Sequence, residues 1–265
     1  MVEAATSAPA ELRRAIRAGR FGGLTTGLAP GYVQANLAIL PAAEADDFVA
    51  FCRVNARACP VLGVSRPGDP RLPELGLDLD IRTDLPAYWI YRNGMRTEKV
   101  QDISSFWQDD HVAVAIGCWF SMEDALTRAG VRLRHVELGI QGPLFRSNRQ
   151  SIPVGRFGGA LVVSMRPFTL SQVETTKAVT GRFPRVHGAP IHEGDPEPLG
   201  ITDLDIPDFG EPIPLIPDDV PLYWGCGLTA LAALERSGLP LFITHAAGAM
   251  LVTDLHNDAL EEAPM

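Results

Sequence analysis

The chain has 265 residues, 46% of them hydrophobic and 21% charged, which is enough to bury a full core and ordinary for a globular protein. A net charge of -9 argues against nucleic acid or an anionic membrane as partner, because both need a basic surface. No apolar run reaches the length of a bilayer span, and Met1 to Ala10 lack a basic stretch followed by an apolar core, so a cytoplasmic protein is expected.

In chain order, Ala10 to Gly19 reads as a short amphipathic helix, followed by a glycine-rich stretch from Gly22 to Tyr32. That stretch fits neither G-x-G-x-x-G after a strand nor a P-loop, so it implies no nucleotide. Val33 to Leu40 is an apolar strand candidate, and Ala42 to Asn55 fits a helix that buries Phe48, Val49, Phe51 and Cys52. Val61 to Val64 and Ala87 to Tyr91 read as strands, the second ending at the turn signal Asn93-Gly94. Val112 to Ile116 is a further strand, followed by Gly117-Cys118 and a helix opened by Ser121 and Asp124. Val131 to Glu137, Ala160 to Met165 and Leu239 to Thr244 complete the expected strands, with helices at Gln172 to Thr180 and Ala230 to Arg236. Strand, turn and helix in alternation predict an α/β fold, with ligands at the carboxyl ends of parallel strands.

One pattern occurs twice. Gly68-Asp69-Pro70, Asp78-Leu79-Asp80-Ile81, Gly117-Cys118 and Arg128-Ala129-Gly130 are followed by Gly194-Asp195-Pro196, Asp203-Leu204-Asp205-Ile206, Gly225-Cys226 and Arg236-Ser237-Gly238. The extra residues of the first copy fall in or near Tyr91 to Trp107. An internally duplicated, pseudo-two-fold α/β core is therefore expected, its two cysteines facing one cleft. Residues 1–21 read as an N-terminal helix or arm, 22–150 and 151–256 as two halves packed as one unit, and 257–265 as a tail.

Each of these cysteines lies between a strand and a helix start, where amide donors favour a thiolate or a bound carboxylate. A small core residue at a tight turn is the competing reading. All four cysteines, at 52, 59, 118 and 226, are expected as free thiols. His187, His192, Glu193 and Asp195 crowd one stretch, but their spacing fits no zinc motif, so no metal and no cofactor is expected. His187 and His245 are candidates for acid and base work, and Asp195 for substrate binding or a turn before proline. Arg82, Arg146 and Arg166 could clamp a carboxylate, with an ion pair to Asp80 or Asp84 as the alternative for Arg82. Ser121 and Thr229 are the hydroxyls at the two helix starts. The expected partner is a small carboxylate-bearing substrate, and a homo-oligomer is compatible with the sequence.

Leu28 to Leu37, Asp80 to Pro86, Val162 to Pro167, Phe183-Pro184 with His187 to Pro190, and Thr244 to Ala246 resemble the bacterial hydro-lyase family related to D-glutamate cyclase. The likeness runs from about Gly22 to Leu255. It implies an α/β fold with a smaller α+β portion, and conversion of D-glutamate to 5-oxo-D-proline with loss of water. The chain departs from the family pattern at Ala249, where a histidine is usual, and at Leu228 to Leu231. A two-cysteine racemase-type isomerase and a non-catalytic carboxylate-binding protein are the rival readings.

Overall fold

The computed structural model describes residues 8–262, so residues 1–7 of the expected arm and 263–265 of the expected tail lie outside the described residues. Helix α1 (Pro9–Arg17) starts at a proline, whose fixed φ suits the first helical turn. Its Arg13 side chain is buried and joined to Asp78 and Asp254. Strand β1 (Tyr32–Pro41) leads directly into helix α2 (Ala42–Val54), and then come β2 (Val61–Val64), β3 (Tyr88–Arg92) and β4 (Met95–Val100). Asn93 and Gly94 both have positive φ, as the tight turn of the β3–β4 hairpin requires. This hairpin falls where the sequence comparison puts the extra residues of the first copy.

Strand β5 (His111–Gly117) ends at Cys118, and a 3-10 turn, Trp119–Met122, passes into helix α3 (Glu123–Arg128). Residues Arg134–Leu138 form helix α4 instead of the expected strand, closed by Gly139 in the left-handed conformation. Strand β6 (Leu144–Gln150), strand β7 (Ala160–Thr169), helix α5 (Val173–Gly181) and the two-residue β8 (His192–Glu193) follow. Strand β9 (Asp219–Gly225) ends at Cys226, helix α6 (Leu228–Arg236) starts at once, and β10 (Leu241–His245) and β11 (Leu251–His256) complete the chain.

The strands form two sheets in this mixed α and β chain. The first has the order β2-β5-β1-β10-β3-β4, with β11 also on β1, and the second has the order β6-β7-β9-β8. Every ladder is antiparallel, which corrects the expectation of parallel strands converging at their carboxyl ends. The central strands β1 and β5 of the first sheet are buried on both faces, whereas the edge strand β4 is exposed. Val33, Ala35, Leu37 and Ile39 of β1 belong to one core, while Ala38 and Leu40 point into another built with α2 and α6. Double burial produces the unbroken apolar runs that, in a sequence, read as parallel strands.

The repeated sequence pattern coincides with a repeated order of elements. β1 runs into α2 and β7 into α5; β2 then pairs with β5, and β8 with β9. β5 and β9 pair in turn with β1 and β7, and both end in Gly-Cys before a helical turn. The next strands cross over. β6 joins the sheet of β7, whereas β10 and β11 join the sheet of β1. The extensive core that includes Leu37, Ala115, Trp119, Phe168 and Trp224 spans both sheets. Among the described residues no helix is long and apolar enough to cross a membrane.

Candidate active site

Both Gly-Cys corners are set by close approach of main chain. A Cβ on Gly117 would lie 2.5 Å from the Arg185 carbonyl oxygen, and one on Gly225 would lie 2.9 Å from that of Arg57. Only glycine admits such contacts, so the chain can turn there and present the following cysteine. Cys118, Cys226, Arg166, His187 and His245 all line one cavity of about 30 Å³, together with Asn36 and Ser164. Four catalytic candidates and one of the three candidate arginines thus meet at one place.

Arg166 lies in β7, only 3% exposed. Its Nη1 donates to the Met165 carbonyl at 2.7 Å and its Nη2 to that of Gln141 at 2.8 Å, and the guanidinium lies 5.1 Å from the centre of the Trp119 ring. The Nε has no partner, and among the described residues no carboxylate forms a salt bridge with it. Burial brings its pKa down to about 10, so the group keeps its positive charge at neutral pH. Trp119 Nε1 and Ser164 Oγ, on two other residues of the cavity wall, are also buried without a partner. A cation and three unspent donors would suit an anion, because a buried donor without a partner loses its hydration and receives nothing in return.

The two histidines are held differently. His187 adopts φ +100, a strained conformation for a residue other than glycine, and its Nδ1 donates to the Arg57 carbonyl at 3.1 Å. That bond leaves Nε2 as the basic nitrogen. His245 ends β10 where the pairing of β1 passes from β10 to β11, between Ala38↔Thr244 and Ala35↔Leu251. Its Nδ1 is 3.2 Å from Leu37 N and 3.3 Å from Leu37 O, so the ring stands in for the strand missing at that point. Burial lowers both rings to about 4, and they are neutral at pH 7. Burial raises the Cys118 thiol well above its usual range and that of Cys226 to about 11, with Arg166 pulling Cys226 the other way. Both thiols are therefore protonated at neutral pH.

The remaining candidates lie elsewhere. Arg82 is paired with Asp80, through Nε at 2.9 Å and Nη2 at 2.7 Å. Arg146 reaches Glu235 at 3.3 Å and covers the ring of Phe209. Ser121 Oγ accepts from Gln34 N and donates to Gln34 O, and Thr229 Oγ1 accepts from Val162 N at 3.0 Å. Neither caps its helix, contrary to expectation, since each hydroxyl is spent on a neighbouring strand. Asp195 accepts from Glu197 N at 3.0 Å, the turn made in the first copy by Asp69 with Arg71 N. His192 bonds to the Asp195 carbonyl and Glu193 to Lys177, which separates the His-rich stretch from His187. Among the described residues no three His, Cys, Asp or Glu side chains are grouped to hold a metal.

Asn36, Trp119 and Ser164 escaped the sequence reading. Asn36 donates through Nδ2 to the Gly117 carbonyl at 2.9 Å and ties β1 to the first corner. A signal was present for two of the three: Asn36 and Ser164 are polar residues within otherwise apolar strands, beside Gln34 and Arg166, and a buried polar group must be matched or functional.

A chemical setting of this kind suits removal of water from a small acid, and relatives of the chain carry names to match. Residues 112–254, more than half of the sequence, match the family described as D-glutamate cyclase. A protein of Jannaschia sp. (strain CCS1) named "Putative hydro-lyase" is 51% identical over 254 residues, covering 96% of each chain. One of Paraburkholderia phytofirmans with the same name is 49% identical over 252 residues, covering 95% of this chain and 97% of the relative. A Methylobacterium radiotolerans relative, also named as a hydro-lyase, is 51% identical over 93% of this chain and 91% of its own. The chain belongs to the D-glutamate cyclase family, among bacterial hydro-lyases, and by that membership is a lyase.

Proposed function

We propose that the cavity between Cys118 and Cys226 binds a small amino acid through its carboxylate and removes water from it, with D-glutamate to 5-oxo-D-proline as the reaction. The observation that carries this reading is Arg166, buried without an acidic partner beside two further unspent donors. A carboxylate would receive Arg166 Nε, Trp119 Nε1 and Ser164 Oγ.

Cyclisation forms a bond from the amine nitrogen to the side-chain carboxyl carbon and breaks a carbon–oxygen bond there. Two of the three ammonium protons leave with that oxygen as water, and the third stays on the lactam nitrogen. A neutral His187 or His245 is the base at hand, and a ring lowered to about 4 takes up the first of them at pH 7 at a cost of about 4 kcal/mol. Deprotonating the substrate ammonium at pH 7 costs about 1.4 kcal/mol for each unit by which its pKa exceeds 7. Nucleophilic attack by Cys226 is the harder route, since a thiol raised to about 11 costs about 5 kcal/mol to ionise at pH 7. Giving up a proton would ionise the same thiols at the same cost, so Cys226 and Cys118 enter as neutral hydrogen-bond donors to the departing oxygen, whose protons come from the ammonium.

The cavity has room for about one water, so substrate enters only as side chains shift. A larger cavity of about 250 Å³ shares Leu228 and His245 with it and provides the approach. Purified protein given D-glutamate should yield a product lighter by one water. Full turnover in Cys226→Ala, His187→Ala and Arg166→Met alike would refute the reading. The presence of both thiols in one cavity favours a second reading, proton exchange at an α-carbon from opposite faces. Solvent deuterium at that carbon with no loss of water would decide for it.

A further inference from the structure

A second cavity, of about 160 Å³, shares Phe120 with the first but none of its cysteines, histidines or arginine. One wall is the turn 27–32, part of the glycine-rich stretch that fits no nucleotide motif. Gly27, Ala29 and Gly31 have φ of 71, 47 and 84, so alternate residues of the turn lie in the left-handed region. That path brings Gln34 Nε2 onto the Thr25 carbonyl at 2.9 Å and the Leu28 carbonyl at 3.1 Å. Because both partners are acceptors, the amide orientation is fixed, and Oε1 is left buried with no donor although Gln34 is only 2% exposed. Asn257, also 2% exposed and also on the wall, has its Oδ1 in the same condition.

The third polar group on the wall is the Glu123 carboxylate. Its Oε1 accepts from His135 Nε2 at 2.8 Å and its Oε2 from Gly27 N at 3.2 Å. Burial keeps His135 on the neutral side, so the imidazole does not cancel the charge. Asp124 adds a second carboxylate to the wall, shared with Arg128 at 3.2 Å. The unpartnered Gln34 oxygen is an acceptor, the Asn257 amide has no hydrogen bond to stop it turning its oxygen to a donor, and the acidic side chains of the wall are carboxylates, which is the reverse of the arginine cavity. Leu133 and Val136 supply apolar surface.

We propose that this cavity is a binding site for a small primary ammonium compound with a short apolar body. An ammonium carries three donors, one each for Gln34 Oε1, Asn257 Oδ1 and the Glu123 carboxylate. Its alkyl chain lies along Leu133 and Val136, in the usual pairing of an apolar pocket with a few placed polar groups.

Calorimetric titration of the full chain with n-butylammonium tests the site, with n-butanol and butyrate as the neutral and anionic probes of matching size. The expected result is one saturable site for n-butylammonium, at least tenfold weaker in Glu123→Gln and in Asn257→Leu and unchanged in Cys226→Ala. Glu123→Gln keeps an oxygen for Gly27 N, and Asn257→Leu checks the conclusion at a residue remote in sequence. Binding of n-butanol as tight as that of n-butylammonium would reduce the site to an apolar hole. No saturable binding, or equal binding in both variants, would also overturn the proposal. Because Cys226→Ala alters only the first cavity, failure of the proposed reaction and failure of this site give different results.

Discussion

Replacement of Arg166 by methionine separates an arginine that binds substrate from one that holds the fold. Burial lowers the guanidinium from 12.5 to about 10, a penalty of about 3 kcal/mol on the charged form. Methionine fills similar space and removes that penalty, but it leaves the Met165 and Gln141 carbonyls without their donors, at about 1–3 kcal/mol each. The terms nearly cancel, and the variant should unfold in urea within about 3 kcal/mol of the parent. A bound carboxylate would lose the one charge-assisted hydrogen bond from Nε, worth about 1.5–3 kcal/mol, or roughly 10- to 10²-fold in affinity. Thermal stabilisation by D-glutamate, present in the parent and absent in Arg166→Met, is the expected readout. A variant that loses more than about 5 kcal/mol, with no stabilisation of the parent by D-glutamate, would make Arg166 a structural residue and refute the reasoning.

Stability should fall on acidification. His187 and His245 are lowered from 6.5 to about 4, so between those values the unfolded chain takes up protons that the folded chain does not; together they cost about 3 kcal/mol per pH unit below pH 6.5 and nothing above it, measurable by urea unfolding at pH 7.5, 6 and 5. Cys226 is the only one of the four free thiols that is not fully buried, so it should be alkylated first, with a rate still rising near pH 11, and Cys226→Ala should abolish that first modification. Gly117→Ala puts a methyl 2.5 Å from the Arg185 carbonyl and should cost about 1–3 kcal/mol by overpacking. Since that carbonyl lies two residues before His187, turnover should drop more than thermal stability does.

The elements were largely legible because their apolar periodicity and turn signals are local. The strands β1, β2, β3, β5 and β10 fall within a residue or two of the runs read from the sequence. Strand direction was not legible. An antiparallel sheet covered on both faces leaves the same apolar run as a parallel one, and only the pairing partner tells them apart. Arg134–Leu138 was misread because a short β-branched and leucine-containing stretch carries no helix period, whereas Gly139 closes a helical turn there. Ser121 and Thr229 fit the rule for a helix cap, but each met a backbone group of another strand first. Among the arginines, Arg82 and Arg146 found acidic partners near or across the surface, and Arg166 did not, a difference set by tertiary contacts that spacing cannot encode.

Placement of the cysteines follows from the crossing of the strands. After Cys118 the chain leaves for the second sheet through β6, and after Cys226 it returns to the first through β10, so each corner is packed by backbone from the other half. Gly117 rests on Arg185 and Gly225 on Arg57, and the Arg57 carbonyl also receives His187 Nδ1. A shift at either corner is therefore passed to the segment that carries His187. Rigidity of this kind keeps an arginine without a salt bridge, two neutral imidazoles and two protonated thiols together on one small cavity.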